Sequence, residues 1–246
     1  MEKKLSIFGV RPVIELIDSG KEIDTIYLQK DIKTDWALEI REKCKKKDFN
    51  LKLVPRYKLN RLTRKNHQGV VGLASSIVFQ NFENLLASIF SKGIFPFFIL
   101  LDRLTDVRNF GSICRSAEAM GVHGVIIPKK ESAQINEIAI KASAGSISNI
   151  NICRENSLDK TIQIAKDSGL TIIACSEKSE QNIFEIDLNK PTLIIIGSEK
   201  NGISKQLLKL SDHICKIPIK GKTESLNASV AAGIALYEAN RQMSIS

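Results

Sequence analysis

The sequence predicts an α/β fold whose larger part is built on a parallel sheet. From residue 97 onward, short and wholly apolar segments alternate with helical patterns, the signature of strands covered on both faces. The first 75 residues repeat that alternation on a smaller scale. Residues 76–93 change texture, with Ser and Gly around a single amphipathic stretch, and so divide the chain in two.

In order, residues 5–8 read as a strand and Gly9 allows a turn. Pro12 suits the first turn of a helix carrying Val13, Ile14, Leu16 and Ile17 on its apolar side, with Gly20 as its stop. Residues 24–28 are a second strand, 34–47 a helix, 51–54 a third strand, 59–65 a helix and 68–74 an apolar strand. A module of residues 1–75 is near the lower size limit for independent folding. Residues 76–93 read as a linker whose short helix, with Phe82, Leu85, Leu86, Ile89 and Phe90 at helical spacing, packs on a neighbouring domain. Residues 94–246 form the larger domain. Its candidate strands are 97–101, 124–127, 150–153, 171–175, 193–196 and 214–217. Its candidate helices are 111–120, 134–142, 158–167, 204–210 and 225–243.

Several function classes fall away. No Gly-x-Gly-x-x-Gly follows the first strand of the larger domain, so the dinucleotide fingerprint is missing. Gly197-x-x-x-x-Gly202 imitates a P-loop but continues Ile203-Ser204, without the phosphate-binding lysine. No apolar run approaches the roughly 18 residues of a transmembrane helix, and nothing behind Met1 resembles a signal peptide. A soluble cytoplasmic protein is expected. Cys44, Cys114, Cys153, Cys175 and Cys215 are scattered without a CxxC pair, and His67, His123 and His213 lack ligand spacing. Reduced, mostly buried thiols and no metal site are expected.

The formal net charge of +9 is unevenly placed. Residues 1–75 hold 17 Lys/Arg against 10 Asp/Glu, an excess of +7, whereas the other 171 residues hold 19 against 17. That asymmetry points the first part toward a polyanion. Arg56, Lys58, Arg61, Arg64 and Lys65 place five cations in ten residues. A helix over 59–65 puts Arg61, Arg64 and Lys65 on one face, a stripe suited to RNA phosphates. A solvated helix face has the same composition.

Three polar segments interrupt the larger domain where strands give way to turns or helices. In Asn109-Phe-Gly-Ser-Ile-Cys-Arg115-Ser-Ala117, Asn109 reads as an N-cap, and Ser112 and Arg115 leave the apolar face of Ile113, Cys114 and Ala117. Arg115 reads equally as a ligand-facing or a plain surface arginine. Glu199 follows a buried strand and Gly197, either beside a ligand or capping the helix near Ser204. Ser225 reads as the cap of a helix rich in small residues, whose free N–H groups donate to an electron-rich ligand group.

Together, NxGxxxRxA over 109–117, GxExxGI over 197–203 and IPI…SLNxSVA over 217–231 resemble the SpoU/TrmH family of RNA ribose 2′-O-methyltransferases. The resemblance covers roughly residues 94–242, and the part ending Asn66-His67-Gln68-Gly69-Val70-Val71 looks like the family's substrate-binding domain. The arrangement is most similar to the RlmB type, which methylates a guanosine ribose of 23S rRNA. The resemblance implies a SPOUT domain with a deep trefoil knot, a feature too rare for any strand pattern to announce. It implies S-adenosylmethionine bound bent in that knot, against backbone at Gly197, Ile217 and Leu226. It also implies a homodimer in which both subunits contribute to each site. Asn109, Arg115, Glu199, Ser225 and Asn227 match the family's functional polar residues. The chain departs in having Asp106-Val107 where the family often has Asp-Pro, and in Thr223-Glu224, which adds a carboxylate before Ser225. The alternatives are a tRNA guanosine as acceptor, or an idle RNA-binding or ribosome-assembly protein on the same scaffold.

Overall fold

The computed structural model describes residues 6–19, 23–75 and 77–244, so the expected strand start at Leu5 and helix stop at Gly20 lie outside the described residues. The chain divides into two compact units, Met1–Val78 and Phe79–Ser246.

In the first unit, β1 (Ser6–Phe8), β2 (Ile23–Gln29), β3 (Leu51–Val54) and β4 (Val70–Ala74) form a mixed sheet in the order β1-β4-β2-β3. β4 is antiparallel to β1 and β2, while β2 and β3 are parallel. Alternation along β2 sends Ile26 and Leu28 to one face and Tyr27 to the other. Ile26 and Leu28 meet Val13, Leu16 and Ile17 of α1 (Val10–Asp18) and Ala37, Ile40 and Cys44 of α2 (Asp35–Lys46). Tyr27 meets Val54, Val71 and Leu59 of α3 (Arg56–Leu62).

α3 corrects the expected helix at 59–65. It starts beside Pro55 and stops at Leu62, where Thr63 turns extended (φ −152°, ψ 140°). The Thr63 hydroxyl oxygen accepts the Lys65 N–H at 3.2 Å, a local bond that competes with helix continuation. Arg64 and Lys65 lie beyond the helix, so the expected face of Arg61, Arg64 and Lys65 does not form.

In the second unit, all six strands are parallel: β5 (Phe97–Asp102), β6 (Gly124–Pro128), β7 (Asn151–Glu155), β8 (Thr171–Cys175), β9 (Thr192–Gly197) and β10 (His213–Cys215). Their order is β10-β8-β9-β5-β6-β7, which puts the apolar β9 and β5 at the centre. One sheet face packs on α4 (Phe82–Phe90) together with two later helices, α7 (Leu158–Asp167) and α8 (Lys205–Leu210). The stretch carrying α4, read as a linker, thus belongs to the second unit. Nine residues are too few for a stable isolated helix. Burial of Phe82, Leu86 and Ile89, at about 1.5–3 kcal/mol per large side chain, offsets that deficit. α5 (Val107–Ala119) packs on α6 (Glu137–Ala142) and α9 (Ala228–Ser244), away from that cluster. Four of the five cysteines are buried, and all five are free thiols.

Candidate active site

Register decides which loops meet. Asp102 ends β5 beside Gly197 at the end of β9, so the segments that follow leave the sheet together at its carboxyl edge. Open parallel sheets place their ligands there.

Asp106, not Asn109, caps α5: its Oδ1 accepts the N–H groups of Arg108 (2.9 Å) and Asn109 (2.8 Å). Asn109 therefore lies in the first helical turn with its carboxamide free, and its Nδ2 donates to Glu199 Oε1 at 2.8 Å. α9 likewise begins later than expected, and Asn227 caps it rather than Ser225. The Asn227 Oδ1 accepts the N–H groups of Ser229 (2.9 Å) and Val230 (3.4 Å) and the Ser229 hydroxyl (2.6 Å). With that oxygen committed to the helix, Asn227 Nδ2 faces away from it. It donates to Glu199 Oε1 and, at 3.1 Å, to Asn109 Oδ1. The Ala228 N–H adds a third donor to the same Glu199 oxygen at 3.4 Å. A carboxylate at a helix start is favoured by the helix dipole. Oε2 of Glu199 stays open among the described residues.

The loop carrying Glu199 is held from below. Asp102, only 3% exposed, accepts the Ser204 N–H at 2.6 Å and two guanidinium bonds from Arg103, each 3.1 Å. Arg103 adopts a left-handed conformation (φ 53°) and also donates to the Gly202 carbonyl at 3.3 Å. A Cβ on Gly197 would lie 2.2 Å from the Gly202 carbonyl carbon, so only glycine lets the loop fold back this tightly. Asp102 and Arg103 escaped the sequence reading. The available signal was an aspartate closing a wholly apolar strand.

Beside the cluster lies a cleft of about 200 Å³, whose walls include Ile196, Gly197, Glu199, Gly202, Ser225 and Leu226. A smaller hollow of about 70 Å³ adjoins it, with Ile217 and Ile219, and shares Cys175, Ser225 and Leu226. Gly197, Ile217 and Leu226, far apart in sequence, thus line one groove. Cys175 Sγ lies 3.7 Å from Cys215 Sγ, and this hydrogen bond with burial holds the Cys175 pKa well above the usual thiol range. The groove therefore presents a protonated thiol, a poor nucleophile.

Residues 96–237 match the SpoU rRNA Methylase family, and residues 6–77 match the RNA 2′-O ribose methyltransferase substrate-binding family. The chain belongs to the SpoU/TrmH family of RNA methyltransferases. It is 33% identical over 236 residues to a protein named as a TrmH family tRNA/rRNA methyltransferase of Bacillus subtilis, covering 96% of this chain and 95% of that one. A protein named likewise from Staphylococcus epidermidis is 36% identical with the same coverage. Among solved structures, the SpoU methyltransferase AviRb from Streptomyces viridochromogenes, in complex with AdoMet, superposes with a TM-score of 0.61 at 25% identity, covering 98% of this chain and 91% of that one. An AdoMet-bound rRNA methyltransferase from Sinorhizobium meliloti gives 0.60 at 26% identity, covering 97% and 87%.

Three of the five family-motif residues, Asn109, Glu199 and Asn227, form the cluster. Ser225 stands exposed on the lip of the groove without a hydrogen bond to a described residue. Arg115 is exposed on α5 and bonds no described residue. Six helical residues rotate it by about 120° from Asn109 and move it about 9 Å along the axis, so this chain alone does not bring Arg115 into the cluster. In the first unit, Arg56, Lys58, Arg61, Arg64 and Lys65 are all exposed. The Arg61 guanidinium stands 6.0 Å from the Tyr57 ring centre, and Lys65 Nζ 5.4 Å from that of Phe8. Among the described residues, no helix is long and apolar enough to cross a membrane, and no three His, Cys, Asp or Glu side chains converge as a metal site.

Proposed function

We propose that this chain methylates a ribose 2′-hydroxyl of RNA using S-adenosylmethionine, with a guanosine of 23S rRNA as its acceptor. The observation that carries the reading is the Asn109–Glu199–Asn227 cluster beside a groove at the carboxyl edge of a parallel sheet. The groove suits a sulfonium nucleoside. Ile196, Ile217, Ile219 and Leu226 offer apolar walls, Gly197 and Gly202 bring backbone close, and Ser198 and Ser225 offer hydroxyls. When bound, S-adenosylmethionine supplies an electrophilic methyl group.

The residues then have to align a hydroxyl with that methyl and stabilise the charge it develops. Glu199, fixed by three donors on Oε1, keeps Oε2 available to a ribose hydroxyl or a guanidinium. Asn109 and Asn227 hold that carboxylate, and Ser225 lies within reach of the groove as an orienting hydroxyl. A guanidinium does not release its proton near neutral pH, so Arg115 acts as a clamp on the adjacent phosphate and on alkoxide charge rather than as the base.

The reading includes a homodimer that completes each site. Arg115 stands apart from its own cluster, and Val230, Ile234 and Tyr237 form an exposed apolar stripe at i, i+4 and i+7 on α9. The reading includes the family's trefoil knot in the second unit, where the matched family spans residues 96–237. The exposed cations Arg56, Lys58, Arg61, Arg64 and Lys65 hold RNA phosphates, in the cytoplasm where ribosomal RNA is found. The rRNA acceptor is supported by the rRNA methylase family matched over residues 96–237 and by the likeness of both units to the Sinorhizobium meliloti rRNA methyltransferase.

Incubation with labelled S-adenosylmethionine and either unmodified large-subunit rRNA or tRNA, followed by mapping of 2′-O-methyl positions, tests the reading. Label at a guanosine of the rRNA is expected. Label in tRNA alone rejects the ribosomal acceptor, and no transfer to either rejects the enzyme.

A further inference from the structure

The first unit contains a cleft of about 710 Å³ lined by Phe8, Arg11, Trp36, Asn66 and Gln68, which the cation cluster does not explain. We propose that this cleft takes up one unstacked nucleobase of single-stranded RNA. The proposal rests on the RNA-acting reading above and names where the first unit grips its substrate. The volume is in the range of small-ligand sites, about 300–1,000 Å³.

The walls provide what such a base needs. Trp36 is half-buried, its apolar body packed on the α1–α2 core, while the half-buried Phe8 ring packs on the Tyr27 side of the sheet with Lys65 Nζ over it. Gln68 Oε1 accepts the Val10 N–H at 3.0 Å, which leaves the two hydrogens of its Nε2 uncommitted. Asn66 and Arg11 are exposed and bond no described residue. An aromatic face for stacking, amides for base edges and a cation for a flanking phosphate are groups by which single-stranded RNA is recognised.

The backbone holds Gln68 in this place at a conformational cost. Gln68 is a non-glycine residue in the left-handed region (φ 51°), followed by Gly69 at φ 89°. The turn is locked from inside by His67, which is 4% exposed. Its Nδ1 accepts the Gly69 N–H at 2.9 Å, and its Nε2 hydrogen-bonds Asn60 Oδ1 at 2.8 Å. Strained positions of this kind concentrate at ligand sites. The +7 excess of residues 1–75 favours a polyanion over a cationic or neutral ligand.

Trp36 is the sole tryptophan of the chain, so its fluorescence reports the cleft directly. The full chain is titrated with a mixed-sequence RNA hexamer, an abasic hexamer of the same ribose-phosphate backbone, and guanosine monophosphate. Binding is followed in parallel by anisotropy of the end-labelled hexamers. The RNA hexamer is expected to quench Trp36, and the abasic one to leave it unchanged. Trp36→Ala weakens hexamer binding by about 5- to 150-fold, the worth of one stacked base, and Trp36→Phe restores most of it. Because Trp36 also packs on the core, the exposed Asn66→Ala variant is read beside it, with weaker hexamer binding and unchanged melting expected. Equal quenching by the abasic hexamer, hexamer binding without quenching, or no hexamer binding overturns the proposal. Guanosine monophosphate binding as tightly as the hexamer assigns the cleft to a mononucleotide instead. Methyl transfer to unmodified large-subunit rRNA and to tRNA is measured with the same protein preparation: transfer without hexamer quenching rejects the cleft alone, and quenching without transfer to either RNA rejects the enzyme reading alone.

Discussion

Asn227 has two tasks at once, and substitutions can separate them. Its oxygen caps α9 and its nitrogen holds Glu199. Serine caps helices about as well as asparagine but has no carboxamide nitrogen. Asn227→Ser is therefore expected to melt close to the parent protein while methyl transfer falls on the order of 10²-fold, the effect of a displaced carboxylate. Asn227→Ala loses the cap as well, at about 1 kcal/mol in chemical denaturation. Arg115→Ala is expected to reduce transfer by about 10²- to 10³-fold while calorimetry shows nearly unchanged S-adenosylmethionine affinity. Near-normal transfer would remove Arg115 from the mechanism. At this scale the motif residues were legible but their local roles were not. Asn109 and Ser225 each read as a cap because both residue types cap helices. Asp106, three residues before Asn109, and Asn227, two after Ser225, were competitors that only the helix starts could rank.

Helix starts also supply a test at the scale of the element. Val107 occupies the first position of α5, where the missing N–H and fixed φ of proline are harmless. Asp106 before it is already extended (φ −71°, ψ 121°), as a residue preceding proline must be. Val107→Pro is expected to stabilise the protein by about 0.4–1 kcal/mol by restricting the unfolded chain, seen as a higher melting temperature. The His67 turn behaves in the opposite sense with acid. Burial, with the Arg56 charge second, lowers the His67 pKa below its ordinary value, and its Nδ1 already accepts a backbone N–H. Just below about pH 6.5 the unfolded chain binds more protons at this histidine than the folded chain does. Its contribution is complete above that pH and is lost as pH falls through the lowered folded value. A lower melting temperature at pH 5.5 than at 7.5 is expected, with a smaller difference in His67→Gln. The end of α3 was not legible, because Thr63 chose a side-chain bond over another helical turn.

For the molecule as a whole, α9 has two apolar sides with different fates. Ala228, Ala232, Ala235, Leu236 and Ala239 are buried, on a helix that packs against α5 and β9. Val230, Ile234 and Tyr237 remain 48%, 38% and 57% exposed, which is the surface proposed to pair two copies. Sedimentation is expected to show a dimer, and Tyr237→Glu a monomer with little methyl transfer. If each site draws Arg115 from one copy and Glu199 from the other, mixing and re-pairing Arg115→Ala with Glu199→Gln chains restores about a quarter of the parent activity. No recovery rejects shared sites. The sequence by itself determined the α/β class and the parallel sheet, because strands buried on both faces must be apolar throughout, as 97–101 and 193–196 are. It also named the three segments bearing polar groups. Tertiary structure alone decided that Asn109, Glu199 and Asn227 form one network across 90 and 118 positions, and that Trp36 and Gln68 line one cleft. Those outcomes depend on which strands lie side by side and in what register, with Asp102 beside Gly197, and on turns such as that of Gln68, quantities set by long-range packing rather than by local residue pattern.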